Sequence, residues 1–143
     1  MGVKRILAVE NNDLVLSFLE AGLMTAGYDV DTASNGREAL EKIDHRSYDL
    51  IISDVHMPEL DGLALCRTLA DRHAHDLHRL LLLTGADSIS DHQAYLAESG
   101  VRAVAKPVGL EDLRGIVERM IHESEEAGVV SRTFAEKAPG AAS

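Results

Sequence analysis

Four residues, each at the end of a short apolar run, carry the chemistry this sequence offers: Glu10, Asp54, Thr84 and Lys106. Asp54 is the most pointed. The run Leu50, Ile51, Ile52 leads to it through Ser53, and Pro58 follows in a loop. A continuous apolar run reads as a strand buried on both faces. Pro58 lacks the N–H that would carry the strand further. Buried strands do not ordinarily end on an unpaired carboxylate, so Asp54 asks for a reason other than packing. The first run, RILAV, ends at Glu10 and Asn11; LLLL ends at Thr84 and Gly85; VRAVA ends at Lys106. In a parallel sheet all these ends lie on one edge, where ligands bind in open α/β folds. Two carboxylates, an amide, a hydroxyl and an ammonium then converge. Oxygen donors of this kind suit a hard cation such as Mg²⁺, which takes few protein ligands and keeps several waters. A carboxylate beside a metal, an ammonium and a hydroxyl is equipped for phosphoryl transfer. It attacks phosphorus, while the cations and the hydroxyl offset charge on the equatorial oxygens.

Alternating strands and helices must position these residues. Asn12 or Asp13 caps a first helix whose apolar face is Val15, Leu19, Leu23 and Ala26, with Phe18 beside them. Gly27 closes it as a left-handed residue. Residues 28–33 alternate and read as an edge-like strand. Asn35 with Glu38 resembles a capping box, and Ala39, Leu40 and Ile43 form the face of the second helix. Leu63, Cys66, Leu69 and Ala70 mark a third, and residues 71–79 read as a polar connection. Ser88 is placed to cap a fourth helix, with Ala94, Tyr95 and Leu96 on its face, that stops at Gly100. Leu110, Leu113, Val117, Met120 and Ile121 define a fifth. Five strand–helix pairs predict an α/β fold, a doubly wound five-stranded parallel sheet with helices on both faces. Residues 1–122 form that domain. Residues 123–143 read as a helix end fraying into a disordered tail.

Composition narrows the function. The chain has 143 residues and a net charge of −10, against the basic footprint that nucleic-acid binding needs. Cys66 is the single cysteine, so no intrachain disulfide framework exists, and a small buried hydrophobe is its expected role. No apolar run approaches the ~20 residues of a membrane span. The N-terminal run is too short for a signal peptide, and Ile6 stands where myristoylation wants Ser or Thr. A cytoplasmic home is the expectation. No Gly-rich phosphate loop is present, which argues against an unrelated nucleotide-binding enzyme. His73, His75 and His78 lack metal-ligand spacing and read as a solvated loop.

The segments RILAVEN, DLIISDVHMPELDGLAL, LLLTGAD and VRAVAKPVG, in this order and spacing, resemble the receiver domains of bacterial two-component response regulators. The resemblance covers residues 4–121. It implies a flavodoxin-like, CheY-like (βα)5 fold and a stand-alone domain that accepts a phosphoryl group on Asp54. It assigns Lys106 to the phosphoryl group, Thr84 as the switch hydroxyl and Gly85 as the small residue that leaves room. It implies a cis bond between Lys106 and Pro107. Mg²⁺ would be held by Glu10, Asn11, Asp54 and the backbone carbonyl of His56. The implied partners are a sensor histidine kinase or phosphotransfer protein and a downstream protein target, with no nucleic acid and no membrane. Of the 37 residues after Lys106, one amphipathic helix takes about half, so output through a protein partner is expected. A homodimer is compatible with this reading.

Two positions depart from the family pattern. Asn11 stands where the family has an acid that ligates the metal, which predicts weakened Mg²⁺ binding. Ala103 stands where the family often has Tyr or Phe, a ring that rotates inward on activation. Both favour an alternative: a pseudo-receiver that binds proteins without phosphorylation. The receiver reading implies a domain that is not a conventional enzyme but is expected to catalyse its own phosphorylation and dephosphorylation.

Overall fold

The computed structural model describes residues 2–55, 60, 62–85, 96, 98–106 and 108–137, without the side chains of 75 and 126–137. The chain alternates β1 (Arg5–Val9), α1 (Asp13–Thr25), β2 (Asp29–Ala33), α2 (Gly36–His45), β3 (Leu50–Asp54) and α3 (Gly62–Arg72). A 3₁₀ helix (Ala74–Arg79), β4 (Leu80–Gly85), β5 (Arg102–Lys106) and a C-terminal helix (Leu110–Lys137) follow. The five strands form one sheet in the order β2-β1-β3-β4-β5, and every adjacent pair is parallel. The order reverses at β1 and β3, the place where a doubly wound sheet opens its crevice.

The apolar runs are buried on both faces because successive side chains point to opposite sides. Leu7, Val9, Ile51, Leu80 and Leu82 face α2 and α3, packed with Ala39, Ile43, Leu63, Cys66 and Leu69. Ile6, Leu50, Ile52, Leu81 and Leu83 face α1 and the C-terminal helix, packed with Leu19, Leu23, Leu113, Val117, Met120 and Ile121. Each such side chain contributes on the order of 2 kcal/mol by leaving water. Gly22 lets α1 approach the C-terminal helix: a Cβ there would stand 2.5 Å from Leu110 Cδ1.

The predicted caps form. Asn12 Oδ1 accepts the Leu14 and Val15 N–H groups at 3.0 and 3.1 Å. Asn35 Oδ1 accepts the Glu38 N–H at 2.8 Å, while Glu38 reaches back to the Ser34 N–H at 3.0 Å. Gly27 has φ +100°, the left-handed conformation expected of it. At the open edge of β2, the Lys42 ammonium donates to the Thr32 carbonyl.

Three expectations change. Val15 and Phe18 do not join the core: Phe18 is 57% exposed, and Leu14 beside it 83%. Helical spacing names a face, and here the burying face rotates toward Leu19 and Leu23. Residues 71–79, read as a polar connection, are helical over most of their length, because α3 runs through Arg72 and a 3₁₀ helix (Ala74–Arg79) follows. Its entry is stitched by His73 Nε2 to Asp44 Oδ1 at 2.7 Å, and Arg72 also pairs with Asp44. The helix expected to fray after His122 continues through Lys137, and Lys4 pairs with Glu125 on it. The expected fourth helix lies almost wholly outside the described residues; Leu96, Glu98 and Ser99 are helical. Ser88, Ala94 and Tyr95 lie outside them, and so does Pro107 with its expected cis bond.

Candidate functional site

The strand ends meet as the sequence predicts. Register sets Val9 beside Ser53, Asp54 beside Leu83, Thr84 beside Ala105 and Gly85 beside Lys106. Glu10 follows Val9, and its N–H still donates to the Ala33 carbonyl at 3.1 Å. The Val55 N–H donates to the Leu83 carbonyl at 3.1 Å, so Asp54 leaves the sheet under the same restraint.

Lys106 joins the acids. Its Nζ lies 3.1 Å from Asp54 Oδ1 and 3.2 Å from Glu10 Oε1. Glu10 is 3% exposed and Asp54 7%. Burial alone would push the Lys106 ammonium down, but hydrogen bonding and charge from Asp54, then Glu10, hold it above the ordinary lysine value. Among the described residues, one ammonium between two buried carboxylates leaves a net negative charge, which a second cation would offset.

The other Glu10 oxygen, Oε2, accepts the Asn12 N–H at 3.2 Å. Asn12 therefore does two things: its side chain caps α1, and its backbone holds Glu10. Only the first was legible in the sequence. The Asn11 side chain, between them, is exposed. Thr84 is buried at the same edge, where its hydroxyl donates a long 3.4 Å bond to the Gly85 carbonyl. His56, the expected carbonyl ligand, lies outside the described residues. Thus Glu10, Asp54 and Lys106 are in direct contact, and Thr84 shares their edge.

Sequence reasoning also missed how Gly62 serves the site. Its N–H donates to the Val55 carbonyl at 2.9 Å. A Cβ there would stand 2.6 Å from the Asp54 carbonyl oxygen and 2.8 Å from Val55 Cα, so only glycine permits this approach. The pairing of Asp61 with Gly62 announced a turn, but not its closeness to Asp54.

The donor set fits a hard divalent cation: two buried carboxylates share the Lys106 ammonium, and Asn11 follows Glu10 in the chain. Among the described residues, no group of three or more His, Cys, Asp and Glu is placed to hold a metal. Among the described residues, the acidic side chains in contact with Lys106 are Glu10 and Asp54. Among the described residues no helix is long and apolar enough to cross a membrane.

Known proteins resemble this chain in sequence and fold. The family model for the response regulator receiver domain matches residues 6–118. The alkaline phosphatase synthesis transcriptional regulatory protein PhoP of Bacillus subtilis is 34% identical over 122 residues, covering 85% of this chain and 50% of that protein. The response regulator MprA of Mycolicibacterium vanbaalenii is 40% identical over 109 residues, covering 76% of this chain and 46% of that protein. The chain thus spans about half the length of the curated relatives it matches. Among solved structures, the response regulator TrrA of Thermotoga maritima, in complex with Mg²⁺ and BeF, is 30% identical with a TM-score of 0.71, covering 82% of this chain and 99% of that one. A CheY-like receiver domain protein of Methanospirillum hungatei shares the fold with a TM-score of 0.80 at 24% identity, covering 88% of this chain and 99% of that one.

Proposed function

This chain belongs to the response regulator receiver family, and from that premise we propose that it is a signalling module gated by phosphorylation of Asp54. The phosphoryl group comes from a histidine kinase or phosphotransfer protein. The carrying observation is the Lys106 ammonium 3.1 Å from Asp54 Oδ1 at the open sheet edge. An Asp54 carboxylate oxygen attacks phosphorus, the bond from phosphorus to the donor nitrogen breaks, and its electron pair stays with the donor imidazole. Lys106 holds the carboxylate in place and then offsets charge on the phosphoryl oxygens. Thr84 exchanges its weak bond to Gly85 for one to a phosphoryl oxygen. Hydrolysis later returns the carboxylate and releases inorganic phosphate.

Glu10, Asn11 and Asp54 would hold Mg²⁺, with the His56 carbonyl as a further ligand by family resemblance; the ion supplies positive charge against the phosphoryl oxygens. TrrA, which takes Mg²⁺ with BeF, supports that assignment. Asn11 brings an oxygen but no charge, so binding is weaker than an acid at this position would give.

The phosphodonor must reach this edge. Leu14 and Phe18, exposed four residues apart on the helix that follows Glu10, offer it apolar contact. Output runs through a protein partner. The name of the Bacillus relative makes that protein a transcriptional regulator; the net charge of −10 on this chain argues for a protein rather than DNA as its own partner. Ala103, partly buried against the core on the α2 and α3 side, has no ring to rotate, so the switch is small and centred on Thr84.

Incubation with Mg²⁺ and a small phosphodonor, followed by intact mass, tests the reading. A hydroxylamine-sensitive adduct is expected on the native chain and absent from Asp54→Ala. Equal adduct on both would overturn it. No adduct on the native chain would favour the second reading, a phosphorylation-independent binding module, for which Asn11 is the supporting observation.

A further inference from the structure

Asp54 is fixed from behind by backbone packing that runs to another helix. The Gly36 N–H, at the first residue of α2, donates to the Leu60 carbonyl at 3.0 Å. A Cβ on Gly36 would stand 2.8 Å from Leu60 Cβ and 2.9 Å from Leu60 C, and would overlap the Leu60 carbonyl oxygen. Leu60 lies two residues before Gly62, which presses on the Asp54 carbonyl and Val55 Cα with equally little room. By contrast, Gly85 and Gly115 have nothing within 4 Å of a Cβ. The tightness at Gly36 and Gly62 is therefore local. Close-packed contacts of this kind transmit displacement rather than absorb it.

We propose that Gly36 is a positioning residue for phosphorylation of Asp54, acting through Leu60 and Gly62. This rests on the phosphoacceptor reading given above. A side chain at position 36 pushes Leu60 back, Gly62 follows, and the Asp54 carboxylate leaves the geometry that Lys106 and the incoming phosphorus require. Near-attack geometry is steep, and misplacement by about 1 Å costs on the order of a hundredfold in rate. The Asn35 cap anchors the α2 end of this tie by accepting the Glu38 N–H.

Gly36→Ala tests it, with Gly115→Ala as the control in open space. Adduct formation from a small phosphodonor is followed at saturating Mg²⁺, well below each variant's melting temperature. The rate is expressed per folded molecule, so that a loss of stability alone does not register. The expected result is a fall of at least about tenfold for Gly36→Ala and no change for Gly115→Ala. A Gly36→Ala rate within twofold of native overturns the proposal, whereas absence of adduct on the native chain overturns the phosphoacceptor reading instead. If Gly36→Ala does not fold, the native protein decides. Addition of Mg²⁺ and beryllofluoride should shift the amide resonances of Gly36 and Gly62 while leaving Gly115 in place. A stationary Gly36 resonance beside a shifted Gly62 sinks the tie.

Discussion

Two clusters of acid and base lie on this sheet, and they are built differently. On the outer strand, Asp31 Oδ2 receives Arg46 Nη1 at 2.9 Å and the Tyr48 hydroxyl at 2.7 Å. Burial works against the Asp31 anion, but these donors overrule it and hold its carboxyl below the usual range. Burial and Asp31 push the Tyr48 hydroxyl far up, so it remains a donor. Charge there is matched one to one. At the carboxyl edge, Glu10 and Asp54 share the single ammonium of Lys106. The first cluster is closed and holds the fold together. Among the described residues the second sets one ammonium against two acids, and the proposed metal ion and phosphoryl group would use that imbalance.

Removing the shared cation gives the largest expected effect. Lys106→Met leaves two buried carboxylates facing each other, and should cost about 2 kcal/mol in chemical denaturation, between the surface and buried limits. It should also abolish measurable adduct on Asp54. A stability change no larger than that of Arg46→Met would erase the contrast between the clusters.

Adding an acid sharpens it from the other side. Asn11→Asp should tighten Mg²⁺ about tenfold by calorimetric titration, because one more direct anion meets the ion. The metal-free protein should become slightly less stable. Unchanged affinity would mean that position 11 is not a ligand.

On the outer strand, Tyr48→Phe should cost about 1 kcal/mol, the value of one hydrogen bond to a charged group that keeps its other partner. Arg46→Met, with its side chain half exposed and screened by solvent, should cost less than Tyr48→Phe.

Titration separates the two clusters by sign. The folded value of Lys106 is raised, so its stabilisation is complete below the ordinary value of 10.5 and is lost as pH rises through the folded value. Asp31 is lowered, so its stabilisation is present above 3.8 and is lost as pH falls through the folded value. Lys106→Met should flatten the alkaline limb of the stability curve, and Asp31→Asn the acid limb. Both variants acting on one limb would break the assignment.

Much of this was legible in the sequence, for definite reasons. Unbroken apolar runs fixed β3 and β4, since burial on both faces erases alternation. Asn12, Asn35 and Gly27 marked helix ends by chemistry that depends only on neighbours in the chain. Glu10, Asp54 and Lys106 could be brought together because a parallel sheet forces its strand ends to one edge. What escaped depends on contacts between distant elements. The exposure of Leu14 and Phe18 follows from how α1 rotates on the sheet, which its own periodicity does not state. The 3₁₀ helix after Arg72 owes its entry to Asp44, far back in the chain. The closeness of Gly36 to Leu60 and of Gly62 to Asp54 is steric, and a glycine in a sequence does not announce what lies against it.

The lysine on the rim of β2 bears on assembly. An outermost strand exposes backbone acceptors that invite another chain to extend the sheet, the first step toward aggregates. Lys42 fills one such acceptor at Thr32, and Asp29 adds an outward charge paired with Arg5. A chain approaching from that side would have to dislodge the lysine and accept the charge. The sheet is thereby discouraged from growing past β2, and strand-to-strand polymerisation from that side is disfavoured.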